Sequence, residues 1–140
     1  MKIIVTEEQY KKVVYKLLDV LYGPNFSIKR DDDKDVIEII PNNDNEIIFS
    51  VFTKKGRAPG CKKDLLIPTN VIQEIDGFIS KSITRKKMFS RTVLSYFNEK
   101  TKLNIDCIEF HYQVGTQSDG EPILQKYNFS VKKNKKIKWF

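Results

Sequence analysis

Apolar positions recur at helical spacing in two regions of the chain and alternate with polar ones along several short stretches between them. The first helical region is the best marked. Thr6 and Gln9 stand at capping-box spacing, with Val5 and Tyr10 at the staple positions. Glu7 and Glu8 suit the positive end of a helix dipole and stand one turn from Lys11 and Lys12. Tyr10, Val13, Val14, Leu17, Leu18 and Leu21 then form an apolar stripe, which Gly23-Pro24 closes.

The second helical region, residues 69–102, organises the rest of the chain. Thr69 or Asn70 serves as N-cap, with Gln73 as the partner of Asn70. Val71, Ile72, Ile75, Phe78 and Ile79 start the pattern, and Gly77 with Ser80 and Ser82 predicts a break. Phe89, Val93, Tyr96 and Phe97 resume it, with Lys87, Arg91, Asn98 and Lys102 on the opposite side of the wheel.

Alternation predicts strands over residues 26–30, 36–40 and 46–53, a meander with an acidic first turn and a polar second one. Ile47, Phe49 and Val51 alternate with Ile48, Ser50 and Phe52, which marks that strand as buried on much of both faces and therefore central. Further strands are expected over residues 105–114, with Ile108, Phe110, Tyr112 and Val114 on one face, and over residues 123–131 after a turn-rich loop. Short strands at residues 3–5 and in the tail complete the reading, and residues 65–67 form a short apolar run into Pro68. The expected fold is α+β: one domain over residues 1–140, with an antiparallel sheet made from the N-terminal three-strand meander and a C-terminal hairpin. An N-terminal helix and a central helical pair pack on it.

Composition sharpens this in two places. A length of 140 residues, 40% of them hydrophobic, is enough for a substantial core, and no apolar run reaches the length of a membrane span. Acidic residues follow the opening Ile3-Ile4-Val5 too closely for a signal peptide, so synthesis in the cytoplasm is expected. The formal charge of +7 is uneven: residues 1–70 carry 12 basic and 11 acidic side chains, residues 71–140 carry 13 and 7. A basic half suits an anionic partner, either nucleic acid or an acidic protein surface, and also simply keeps a small protein in solution.

Several groups are candidates for chemistry. Lys54, Lys55, Arg57, Lys62 and Lys63 make a basic loop with Gly56 and Gly60, and Arg85, Lys86, Lys87 and Arg91 a second basic group; both are candidate contacts for an anionic partner. The loop lacks the glycine spacing and the Ser/Thr of a P-loop. Asp31, Asp33 and Asp35 alternate as in a calcium loop but lack its glycine and final glutamate, so a hairpin turn is expected. Cys107, Glu109 and His111 share a strand face, and a Glu–His pair is able to do acid–base work. Cys61 and Cys107 read as two buried free thiols. With one histidine and no C-x-x-C pair, neither zinc nor any other cofactor is expected. In the lysine-rich tail, Trp139 and Phe140 are candidate docking anchors, bases for stacking, or members of the core.

The order helix, three strands, helix resembles that of double-stranded RNA-binding domains, without that family's lysine-rich helix start. The opening Lys2-Ile3-Ile4-Val5-Thr6-Glu7-Glu8-Gln9-Tyr10, together with a Lys-, Asn- and Ile-rich composition, resembles small proteins of tailed bacteriophages. That resemblance implies a non-enzymatic structural or assembly protein of the virion or host cytoplasm that acts through protein–protein contacts, as a homo-oligomer or with other virion components; the lack of a spanning apolar run implies no membrane partner. A basic nucleic-acid-binding module is the alternative, and a small enzyme using Glu109 and His111 a further one.

Overall fold

The structure, a computed structural model, describes residues 6–31, 33–43, 46–53, 60–74 and 83–131, excepting the side chains at 73, 74 and 83–85. Its elements follow the order α1 (Glu7–Leu21), β1 (Phe26–Asp31), β2 (Val36–Pro41), β3 (Phe49–Phe52), β4 (Asp64–Leu66), α2 (Thr69–Glu74), α3 (Ile83–Thr101), β5 (Cys107–Thr116) and β6 (Pro122–Ser130). This is the α+β arrangement expected, with the N-terminal meander and C-terminal hairpin in one six-stranded sheet ordered β1 to β6. Every neighbouring pair is antiparallel except β4–β5. That pair is parallel because α2 and α3 lie between the two strands in the chain, and such a crossover returns the backbone in the same direction.

The capping box at the start of α1 is formed in full. The Gln9 N–H donates to Thr6 Oγ1 and the Thr6 N–H to Gln9 Oε1, at 3.2 and 3.0 Å. At the other end the Leu18 carbonyl accepts from both Tyr22 and Gly23. Gly23 has no room for a side chain: a Cβ there would run into the Tyr96 hydroxyl and Asp19. Of the expected stripe, Val14 and Leu18 are fully buried, whereas Val13 is 51% exposed. Tyr10, Leu17 and Leu21 are partly buried and pack against the core, so Val13 is the one member of the stripe left in solvent.

The second helical region starts at Thr69, with the Pro68 carbonyl accepting from Val71 and Ile72. Thr69 and Asn70 therefore lie inside the first turn instead of capping it. Residues 75–82, where Gly77, Ser80 and Ser82 predict a break, lie outside the described residues. Phe89, Val93, Tyr96 and Phe97 are buried as the periodicity predicts, but so are Met88, Ser90, Thr92 and Leu94. The helix is thus buried on more than one side, and Thr92 satisfies its hydroxyl on the Met88 carbonyl, 2.8 Å away. Asn98, expected on the polar side, instead fixes the exit of α3. Its carboxamide donates to the Ile105 carbonyl and accepts from the Ile105 N–H, at 3.0 and 2.6 Å.

The core lies between the helices and one face of the sheet. Ile37, Val51, Leu65, Ile108 and Phe129 are successive register partners and form a buried row across five strands. The run at residues 65–67, read only as apolar, supplies the middle of that row. Aromatic rings close it toward α1 and α3: Phe97 stands 4.8 Å from Phe49 and 5.5 Å from Phe26, and Tyr22 stands 5.5 Å from Phe49. Cys61 and Cys107 are joined in a disulfide, with Cα atoms 5.9 Å apart, and are not the free thiols expected. The cause is topological: β4 begins opposite Cys107, which brings the residues just before β4 against the start of β5. The first strand expected at residues 3–5, Val5 of the staple, and the tail strand lie outside the described residues.

Candidate functional site

The feature that stands out from this fold is the far half of the β5–β6 hairpin. β4 spans three residues and so reaches β5 at Cys107, Ile108 and Glu109 alone in the strand register. From Phe110 outward β5 keeps β6 as its one partner among the described strands. The two strands continue together to Thr116 and Pro122, an arm about 20 Å long at 3.3 Å per residue. Its tip is a tight loop. The Gln117 N–H bonds the Glu121 carbonyl at 2.8 Å, and Gly120 N–H bonds the Gln117 carbonyl at 3.0 Å with φ +89°, which favours glycine.

The arm carries apolar residues into solvent. Val114, Ile123 and Leu124 are 40%, 41% and 43% exposed. Strict alternation places Val114 on one face with Ile108, Phe110 and Tyr112. A register shift between Gln113 and Gly115 changes that, because the extra residue of a bulge breaks the period of two. Ile123 shares its strand face with Gln125 and Tyr127, while Leu124 lies on the other. Each face of the arm therefore carries an exposed apolar side chain among polar ones.

Its base is firmly mounted. Phe110 stacks between Phe89 of α3 at 6.0 Å and Tyr127 of β6 at 5.4 Å. Lys86, in the first turns of α3, is 5% exposed, and its ammonium lies 3.9 Å from the Tyr112 ring centre and 5.9 Å from that of Tyr127. The negative ring faces take the place of a carboxylate for this cation. Burial, with Tyr112 beside it as a lesser cause, pushes the Tyr127 hydroxyl up to about 12. The Tyr112 hydroxyl reaches across the strands to Gln125 at 3.1 Å. Lys86 had been grouped with the basic side chains, yet it stands three residues before Phe89 and seven before Val93, on the apolar stripe itself. That spacing is the signal for its burial.

Removing the Lys86 charge should therefore matter less than removing its stem. Lys86→Met is expected to change stability by less than about 1 kcal/mol, since the desolvation cost of the cation goes with its ring contacts. Lys86→Ala should cost about 2–3 kcal/mol in urea unfolding, through the packing lost beneath Tyr112. Equal losses in the two variants would overturn this account of the mount.

The other described basic candidates fall in two separate places. Lys62 is exposed, and Lys63 spends its ammonium on the Leu103 carbonyl, 2.5 Å away, just past the end of α3. Lys86, Lys87 and Arg91 belong to the opposite half of that helix, Lys86 about 25 Å from Leu103 at 1.5 Å rise per residue. Lys87 and Arg91 are half-buried. The Arg85 side chain, Lys54, Lys55 and Arg57 lie outside the described part, as do Trp139 and Phe140.

Glu109 and His111 lie on the sheet face opposite the buried row. Glu109 is 2% exposed and paired with Lys126 at 3.0 Å, and His111 is half-buried with Lys126 as its register partner. Cys107, on the same face, is committed to its disulfide. Among the described residues no group of three or more His, Cys, Asp or Glu is placed to hold a metal. Asp31 and residues 33–35 belong to the hairpin turn expected: Lys34 N–H bonds the Asp31 carboxylate, and Asp35, at φ +53°, takes the Thr53 N–H and hydroxyl on its carbonyl. No described helix is long and apolar enough to cross a membrane. Comparison with family models, with curated proteins and with solved structures finds no match to this chain.

Proposed function

We propose that this chain is a non-enzymatic structural or assembly protein of a tailed-phage virion, and that the β5–β6 arm is the surface it presents to other protein chains. The arm carries the reading. A two-stranded projection with exposed apolar side chains, fixed at its base to a helix, is suited to entering a neighbouring subunit or adding its edge to a neighbouring sheet. Its exposed Val114, Ile123 and Leu124 cost solubility in a lone monomer and gain burial in an assembly. The likeness of residues 2–10 to the openings of tailed-phage proteins supplies the setting.

Leu124→Asp and Ile123→Asp test the arm. Both positions are solvent-facing, so the folded chain should keep its stability to within about 1 kcal/mol. Association should weaken at least about tenfold, because a charge then has to be buried at the contact. Light scattering and sedimentation of the purified protein, alone and with separately purified virion proteins, read this directly. A wild-type chain that stays monomeric and binds none of those partners sinks the proposal. Binding to nucleic acid at low salt that falls steeply as salt rises, with the arm variants unaffected, would instead favour the basic-module reading.

A further inference from the structure

The segment that precedes β4 is held to the start of β5 by more than its sulfur bridge. The backbone N–H groups of Lys62 and Lys63 donate to the two oxygens of the Asp106 carboxylate, at 3.2 and 2.8 Å. The Asp106 and Cys107 N–H groups return bonds to the Lys63 carbonyl at 3.2 and 3.1 Å. Lys63 Nζ reaches the Leu103 carbonyl, and Val131 N–H bonds the Asp106 carbonyl at 3.0 Å. Asp64 then opens the parallel pairing opposite Cys107. None of these contacts involves sulfur, so the bridge is not alone in holding the two cysteines side by side.

The two sulfur-bearing residues differ in access. Cys107 is 2% exposed, on a strand between β4 and β6. Cys61 is partly exposed, between exposed Gly60 and exposed Lys62. We infer that the Cys61–Cys107 bond is a redox latch operated through Cys61, closing and opening on a chain that stays folded in both states. Closing runs by exchange with a small-molecule disulfide such as oxidised glutathione. The Cys61 thiolate attacks one sulfur, forms a mixed disulfide and releases one thiol. The Cys107 thiolate then attacks the Cys61 sulfur and releases the second thiol. One small disulfide is reduced to two thiols as two protein thiols become one disulfide. Opening reverses this: a dithiol attacks at Cys61, the sulfur within its reach, and leaves as its own cyclic disulfide. Lys62 beside the entry sulfur favours an anionic reagent such as glutathione.

The test uses the full chain. Reduced with dithiothreitol, it should keep its circular-dichroism spectrum and a cooperative thermal transition. Its Tm should fall by about 10 °C, the loop-closure effect of a bridge across 46 residues. A brief pulse of maleimide on the reduced wild type, followed by peptide mapping, should label Cys61 at least tenfold faster than Cys107, and urea should abolish the difference. Cys107→Ser should accumulate a glutathione adduct at Cys61, whereas folded Cys61→Ser should resist adduct formation. A reduced chain that unfolds at room temperature would make the bridge a requirement of the fold and overturn the latch. Equal labelling of the two thiols in the reduced wild type would overturn the route, and that readout needs no variant to fold.

Discussion

Phe97→Ala should lower the unfolding free energy by about 4 kcal/mol, in the range of large-to-small changes at fully buried aromatic sites. Phe97 is fully buried, and its ring meets Phe49 of β3, Phe26 of β1 and Tyr96 of its own helix at 4.8, 5.5 and 5.3 Å. It is the point where α3 is seated on the meander. Its neighbours come from both strands and helix, and each is fixed elsewhere: Phe49 against Tyr22, Tyr96 against Tyr15 and Asp19. Their freedom to move into the vacated space is small, so most of the cavity should persist. Urea unfolding of the oxidised protein measures the loss. Val13→Ala, on the exposed side of α1, serves as the control and should stay within about 0.5 kcal/mol of wild type. A Phe97→Ala loss below about 1 kcal/mol would mean that the junction collapses freely, and the seat would then have to be sought elsewhere.

What the amino-acid pattern revealed divides along physical lines. Signals that act over a few residues were legible. The Thr6–Gln9 box, the stop at Gly23-Pro24, the turn between β1 and β2 and the strands of the meander each rest on contacts within a turn or between adjacent strands, although β3, read as buried on both faces, is fully buried on one and half-buried on the other. Features that depend on where distant segments meet were not. The disulfide requires β4 to lie parallel to β5, and the parallel pairing requires residues 64–66 to be a strand, although three residues are too few for a period to show. The bulge that turns Val114 outward leaves no mark on an alternating sequence. Lys86 is intermediate. Its helical phase with Phe89 and Val93 pointed inward while its charge pointed outward, and the tyrosine faces that reconcile the two arrive from strands 26 and 41 residues further along the chain. The arm follows the same division: its strands were expected, but its projection follows from the shortness of β4.

Above pH 10 the protein should lose stability steeply, because three of its tyrosines keep their protons longer when folded than when unfolded. Burial raises the Tyr96 hydroxyl well above the ordinary range, aided by the Asp19 carboxylate that accepts its hydrogen bond at 2.7 Å. Burial also raises Tyr15, with the charge of Glu99 second, and brings Tyr127 up to about 12 with help from Tyr112. In each case the folded value lies above the unfolded value of 10.0. The unfolded chain is then the first to release protons as pH rises. The contribution of each tyrosine is complete below pH 10 and is lost as pH climbs toward and through its folded value. While a tyrosine is ionised only in the unfolded chain, it adds a slope of at most about 1.4 kcal/mol per pH unit. The urea midpoint should therefore be level between about pH 7 and 9 and fall with increasing slope beyond about pH 10. Phenolate absorbance should rise together with unfolding rather than ahead of it for these three rings. Tyr127→Phe should make the fall between about pH 10 and 12 shallower by one tyrosine's share, since phenylalanine has no proton to lose in either state. A midpoint that stays level to about pH 11.5, or a Tyr127→Phe profile parallel to that of wild type, would show that the hydroxyls at the arm's base and between α1 and α3 ionise as freely as in an open chain.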